Sequence, residues 1–248
     1  VCVLAAGKPV DSVASRLIVT GSMLVTSRSA AEYRAMFDLS DADLNGWVLD
    51  CCAGGASFAA EIGQRVVAAD PVYAVGVDEV EARVSAGLRE GDDMIDAHAE
   101  CFEWGWYGDI ESRRSMRHVA GARFLADLRA RPGRYVAAAL PRLPFATAAF
   151  DLVLCSHLLF TWAERLGEDW HRRALDELLR VSRGEVRVYP LVVQATGEPV
   201  AFLDRLRAEL HSRGHRTELR EVTYRFQRGA HHMLRIQVAQ QPARARRR

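Results

Sequence analysis

The stretch Val48-Leu49-Asp50-Cys51-Cys52-Ala53-Gly54-Gly55-Ala56-Ser57-Phe58 decides the fold. A short apolar run ends on a carboxylate, two glycines follow, and a serine opens the next segment. Trp47-Val48-Leu49-Asp50 reads as a buried strand and residues 57–64 as a helix. Arg65-Val66-Val67-Ala68-Ala69-Asp70 reads as a second strand, again ending on aspartate and stopped by Pro71. Strand, glycine turn, helix and strand in so short a span form a right-handed, parallel βαβ unit.

Working outward, Ser29-Ala30-Ala31-Glu32 has capping-box spacing and opens a helix to about residue 37. Residues 72–132 read as helical segments at 79–89, 94–103 and 112–129, broken near Gly91 and Gly108. Strands are expected at 134–138, at Phe150-Asp151-Leu152-Val153-Leu154-Cys155 and at 185–192, with helices at 170–181 and 200–213. The runs 217–226 and 232–238 alternate and are separated by Gln227-Arg228-Gly229-Ala230, which reads as a hairpin. Strands alternating with helices and closed by an antiparallel pair give an α/β, doubly wound sheet.

A glycine turn between strand and helix brings a ligand to the backbone and aims helix N–H groups at it. The G-x-G-x-x-G spacing of a nicotinamide site is absent, and a carboxylate at the first strand's tip repels a pyrophosphate. An amine or sulfonium is the better electrostatic match. Asp70 follows Asp50 by twenty residues, where an open α/β nucleotide site holds an acid for ribose hydroxyls. The competing reading is a plain tight turn with Asp70 as a helix cap.

These residues resemble the class I S-adenosylmethionine-dependent methyltransferases, the broad small-molecule group, over residues 47–70 and 135–192. The family pattern is V-L-D-x-G-x-G-x-G. Asp50 and Gly54 match it, whereas Cys52 and Ala56 stand where the family has glycine. A second family block appears as Leu143-Pro144-Phe145 and Phe150-Asp151-Leu152-Val153, with Ala139 where many relatives carry an acid. The resemblance implies a Rossmann-like sheet of seven strands, mostly parallel with a C-terminal antiparallel hairpin. It implies S-adenosylmethionine as cofactor, bound by Asp50, Cys51, Cys52, Ala53, Gly54, Asp70, Leu140 and Ser156. His157, at the fourth strand's tip, is either a general base or a polar residue of the turn. Cys155 is read as a small core residue.

The connection 72–132 is longer than one crossover helix needs, and it carries Trp104, Trp106 and Tyr107. It reads as a lid and acceptor region, or as a small core of its own. His211, His215, His231 and His232, and the acids among Asp92, Asp93, Asp96, His98 and Glu100, read as solvated surface; no metal is invoked. Arg113, Arg114 and Arg117 either grip an anionic substrate or balance those acids.

Composition bounds the rest. The 248 residues are 49% hydrophobic and 26% charged with a net charge of +1, a globular balance without the excess that suits nucleic acid. Arg244 and Arg246 to Arg248 form a basic tail. No stretch reaches the roughly 18 apolar residues of a membrane span. Five cysteines without a C-x-x-C pair fit a cytoplasmic protein. The expected organisation is an N-terminal arm over 1–28, a methyltransferase domain over 29–240 with the helical insertion 72–132, and a tail over 241–248. The expected function is methyl transfer to a small-molecule acceptor, without nucleic acid or membrane. A non-catalytic cofactor-binding scaffold is the alternative, motivated by Cys52, Ala56 and Ala139, and a nicotinamide oxidoreductase stands third.

Overall fold

Seven strands form one sheet in the order β3-β2-β1-β4-β5-β7-β6, in a computed structural model that describes residues 24–194 and 196–239. The strands are β1 (Val48–Cys51), β2 (Val66–Ala69), β3 (Tyr135–Val136), β4 (Phe150–Ser156), β5 (Ser182–Tyr189), β6 (Arg216–Glu221) and β7 (His232–Gln237). The first five run parallel, and β7 is antiparallel to both β5 and β6. This is the doubly wound, mostly parallel sheet with an antiparallel close that the sequence implies. The helices are α1 (Ala30–Phe37), α2 (Phe58–Ile62), α3 (Val77–Ala97), α4 (Ile110–Ala130), α5 (Ala163–Val181) and α6 (Leu203–Ser212).

Period-two alternation feeds a core on each face of the sheet. Val48, Ala68, Leu152 and Leu154 pack with α1, α2 and α4, whereas Leu49, Cys51, Val153 and Cys155 pack with α5 and α6. Strand order reverses between β1 and β4, so a crevice opens beyond their carboxyl ends. Both β1 and β4 are buried along most of their length, which fixes the floor of that crevice.

The long connection differs from expectation. Gly91 lies inside α3 and breaks nothing, and 94–103 is not a separate helix. Helix α4 is the crossover helix itself, with Phe124, Leu125 and Leu128 in the core. Of residues 24–28, Ser27 and Arg28 are buried and 24–26 are half-buried. A Cβ at Gly87 of α3 would stand 2.2 Å from the Val25 carbonyl oxygen, so only glycine lets that strand of chain pass. Residues 1–23 and the basic tail lie outside the described residues. The hairpin loop is also longer than expected: β6 ends at Glu221, because Tyr224 and Phe226 turn inward and are buried.

Candidate functional site

The site grows from the turn after β1. Cys52 N and Ala53 N both donate to the Ala69 carbonyl, at 2.7 and 3.2 Å, which folds the chain back over β2. Cys52 then adopts φ 64° and Gly54 φ 55°. That left-handed backbone favours glycine, so Cys52 holds it at some cost in strain. Ala56 is buried in the core next to it. The Cys51 and Cys52 sulfurs lie 3.8 Å apart.

Asp70 closes the turn from the neighbouring strand. Its Oδ2 accepts from Gly54 N and its Oδ1 from Val72 N, each at 2.9 Å. Both readings of Asp70 therefore hold, because it caps the short 3-10 turn Pro71–Ala74 and also faces the glycine turn. Each oxygen keeps a lone pair for a ligand hydroxyl. Burial raises the Asp70 carboxyl above its ordinary value, against those two backbone bonds. Tyr73, which the sequence reading passed over, donates to the Gly54 carbonyl at 2.7 Å.

Asp50 is fully buried at the tip of β1, and Oδ1 accepts from the Tyr33 hydroxyl at 3.0 Å. Its Oδ2 has no partner. Burial pushes the carboxyl up to about 7; the Tyr33 bond opposes the rise and the nearby Asp70 charge adds to it. A cationic ligand group would restore the charged form.

At the tip of β4, Ser156 Oγ and His157 Nδ1 are 2.8 Å apart, and His157 N donates to the Tyr189 carbonyl at 2.7 Å. His157 has φ 56°. Loss of water, and then the charges of Arg28 and Arg117, push its pKa well below the ordinary imidazole value. It is therefore neutral at physiological pH, a proton acceptor of modest strength. Leu140 is buried on the α5 side of the sheet, and Ala139 is exposed. Cys155 is wholly buried in the core.

The aromatics of the connection meet the β6–β7 loop over the end of β5. Trp106 packs at 5.1 Å from Tyr224, and Trp104 at 5.7 Å from Phe226. Tyr107 shares a hydrogen with Tyr224 at 2.7 Å and touches the Glu32 carboxylate. Beneath them Arg117 pairs with Glu32 at 2.9 Å, both almost wholly buried. Arg113 and Arg114 pair with Asp92, so these arginines balance acids as one of the two readings held. His211 and His215 bond to Thr217 and to the Ala239 amide. Among the described residues no group of three or more His, Cys, Asp or Glu could hold a metal, and no helix is long and apolar enough to cross a membrane.

The capping box found Ser29 and Glu32, but nothing in the sequence marks Glu32 as the partner of Arg117 or Tyr33 as that of Asp50. Each of those contacts joins residues far apart in the chain: α1 meets the β1 tip at Tyr33–Asp50 and meets α4 at Glu32–Arg117.

Residues 111–189 match a family model described as a methyltransferase domain, a window that holds β3, β4 and the Ser156–His157 tip. An uncharacterized protein of Methanocaldococcus jannaschii is 27% identical over 219 residues, covering 85% of this chain and 94% of that protein. Among solved structures, the chain is similar to the 1,6-didemethyltoxoflavin-N1-methyltransferase of Burkholderia thailandensis, with TM-score 0.47 and 14% identity over 92% of this chain and 83% of that one. The magnesium protoporphyrin IX methyltransferase of Synechocystis PCC 6803 gives TM-score 0.43 and 14% identity, over 80% and 73%. The matched window and the order of strands across the sheet agree with the resemblance to class I S-adenosylmethionine-dependent methyltransferases that the motifs carry.

Proposed function

We propose that the protein moves the methyl group of S-adenosylmethionine to a small-molecule acceptor by direct in-line displacement. The observation that carries this reading is the pair of carboxylates at the β1 and β2 tips, Asp50 with an unpartnered oxygen and Asp70 bonded to the glycine turn. Asp70 suits the ribose hydroxyls, and Asp50 the cationic amino-acid end of the donor. Cys51, Cys52, Ala53 and Gly54 give the backbone against which that end lies, with Leu140 and Ser156 completing the contact.

When bound, S-adenosylmethionine supplies a methyl already activated on sulfonium, so the chain's own work is alignment and exclusion of water. The acceptor atom takes the methyl as the carbon–sulfur bond breaks and the thioether leaves. A hydroxyl or ammonium acceptor also gives up a proton, and neutral His157 at the β4 tip receives it. Trp104, Trp106 and Tyr107 stand over the end of β5 and shape the acceptor side. At Cys52 the left-handed backbone is one that a glycine favours, which supports a turn that still receives the donor.

A thermal-shift screen with S-adenosylmethionine, S-adenosylhomocysteine, NAD and NADP tests the reading. The first two should raise the melting temperature. A shift with the dinucleotides alone would sink it.

A further inference from the structure

Strand β6 ends the sheet, and among the described residues no strand lies beyond it. Its register against β7 is unbroken from Arg216–Gln237 to Glu221–His232. Val222 N, just past its end, donates to the His231 carbonyl at 2.9 Å. Backbone groups alternate sides along a strand, so the even residues from 216 to 222 bond to β7, and Thr217, Leu219 and Glu221 turn theirs outward. Thr217 N donates to His211 Nε2 of α6 at 3.2 Å, in keeping with that parity. The strand has neither a proline nor a bulge to keep a second strand off. Its remaining guard is charge, and that charge is of both signs.

Side chains alternate between the two faces: Arg216, Glu218 and Arg220 share one, and Thr217, Leu219 and Glu221 the other. Leu219 is 40% exposed, alongside only Trp47 and Val119 among the large hydrophobic residues described. A second copy laid antiparallel on this edge, about a two-fold axis through Leu219, sets Leu219 against the partner's Leu219. Glu218 then stands opposite the partner's Arg220, and Arg220 opposite the partner's Glu218. These pairs fall at the positions without backbone bonds, where facing side chains come closest. Leu219 exchanges backbone bonds with the partner's Leu219, and Glu221 N donates to the carbonyl of the partner's Thr217, so Thr217 N keeps His211.

Neighbouring registers fail on charge. An axis through residue 218 sets Glu218 against its own copy and Arg216 against the partner's Arg220, and an axis through 220 sets Arg220 against its own copy. Like charges directly opposite are destabilising. Within one chain the two residues keep capacity for a further partner. Glu218 meets Arg235 only at 3.4 Å, while Arg235 holds Glu185 at 2.7 Å. Arg220 holds Asp38 at 2.6 Å in an exposed pair, and a guanidinium has donors for a second carboxylate.

We propose that two copies of this chain pair β6 to β6, antiparallel and centred on Leu219, into one continuous sheet. Sedimentation velocity of the full chain, from low to high micromolar concentration, should show a monomer–dimer equilibrium. Glu218→Arg and Arg220→Glu each place like charges across the axis and should weaken the dimer at least about tenfold. The two single variants, mixed, should associate with each other, and the double variant, which exchanges both charges, should dimerise as wild type does. Leu219→Pro removes only an outward N–H and should be monomeric. Circular dichroism melts establish that each variant folds, and the charge exchanges carry the test if the proline variant does not. Wild type that stays monomeric at every concentration overturns the pairing, whatever else covers the edge. So does a dimer that survives both single variants, or one that the double variant fails to restore.

Discussion

The Tyr33 hydroxyl, on the first turns of α1, donates to Oδ1 of Asp50 at 3.0 Å and leaves Oδ2 bare at the end of β1. One helix thereby sets both the orientation and the charge of the carboxylate at the centre of the site. With its pKa near 7, the Asp50 carboxyl holds its proton below neutrality in the unliganded protein and releases it above.

Affinity for S-adenosylhomocysteine should therefore rise as pH climbs through 7 and level off beyond it, because the ammonium needs the carboxylate. Tyr33→Phe removes a bond that favours the charged form, so the midpoint should move to higher pH by roughly one to two units, from 1.5–3 kcal/mol for a hydrogen bond to a charged group. Asp50→Asn should abolish the dependence. Stability follows the same proton: the unfolded carboxyl titrates near its ordinary 3.8 and the folded one near 7, so between those values the folded state binds more protons. The Asp50 contribution thus falls as pH rises across that window. Urea midpoints of wild type and Asp50→Asn from pH 4 to 8 isolate it, and parallel curves would contradict the shift.

His157 should titrate well below the ordinary imidazole value, and Arg28→Met should bring its pKa back up by removing a nearby positive charge. Proton NMR of the imidazole reads this without an acceptor. Where His157 serves as base, His157→Ala should slow methyl transfer by about 10²–10⁴, and the ascending limb of the rate profile should lie on the acid side of neutrality. A ring that titrates normally would remove the burial argument.

Cys52→Gly should stabilise the protein. Left-handed backbone costs a non-glycine residue about 1–2 kcal/mol, and the added freedom of glycine in the unfolded chain returns part of that. A net gain of roughly 0.5–1 kcal/mol in urea denaturation is expected, with binding retained. A loss of stability would mean that the Cys52 side chain contributes more than its backbone costs.

Glu32→Ala should cost about 3–5 kcal/mol, since it leaves Arg117 buried without its counter-charge. It also removes the partner of Tyr107 and the capping bond to Ser29 N at 2.7 Å. Chemical denaturation measures the loss. A cost below about 1 kcal/mol would show that water compensates Arg117.

Strands β1, β2 and β4 were legible because each is an apolar run closed by a sharp signal: the glycines, Pro71, or the polar Ser156–His157 tip. Asp50, Gly54 and Asp70 were legible with them, since strand ends and a turn position are local features. The β6–β7 loop was not. Val222, Tyr224 and Phe226 keep the alternation of a strand, and the same alternation also serves a loop that buries every second side chain. Gly91 looked like a helix break because propensity is local, while the packing of α3 on α4 holds the helix through it. Tyr33 left no trace, because its role exists only where α1 meets the β1 tip.

Calorimetric titration of the full chain with S-adenosylhomocysteine, beside Asp70→Ala and against NAD, tests the central claim most directly. Saturable binding to wild type is predicted, weakened by roughly 1.5–3 kcal/mol in Asp70→Ala, with no heat from NAD. Binding of NAD in place of S-adenosylhomocysteine, or an Asp70→Ala variant that binds as wild type does, would contradict it.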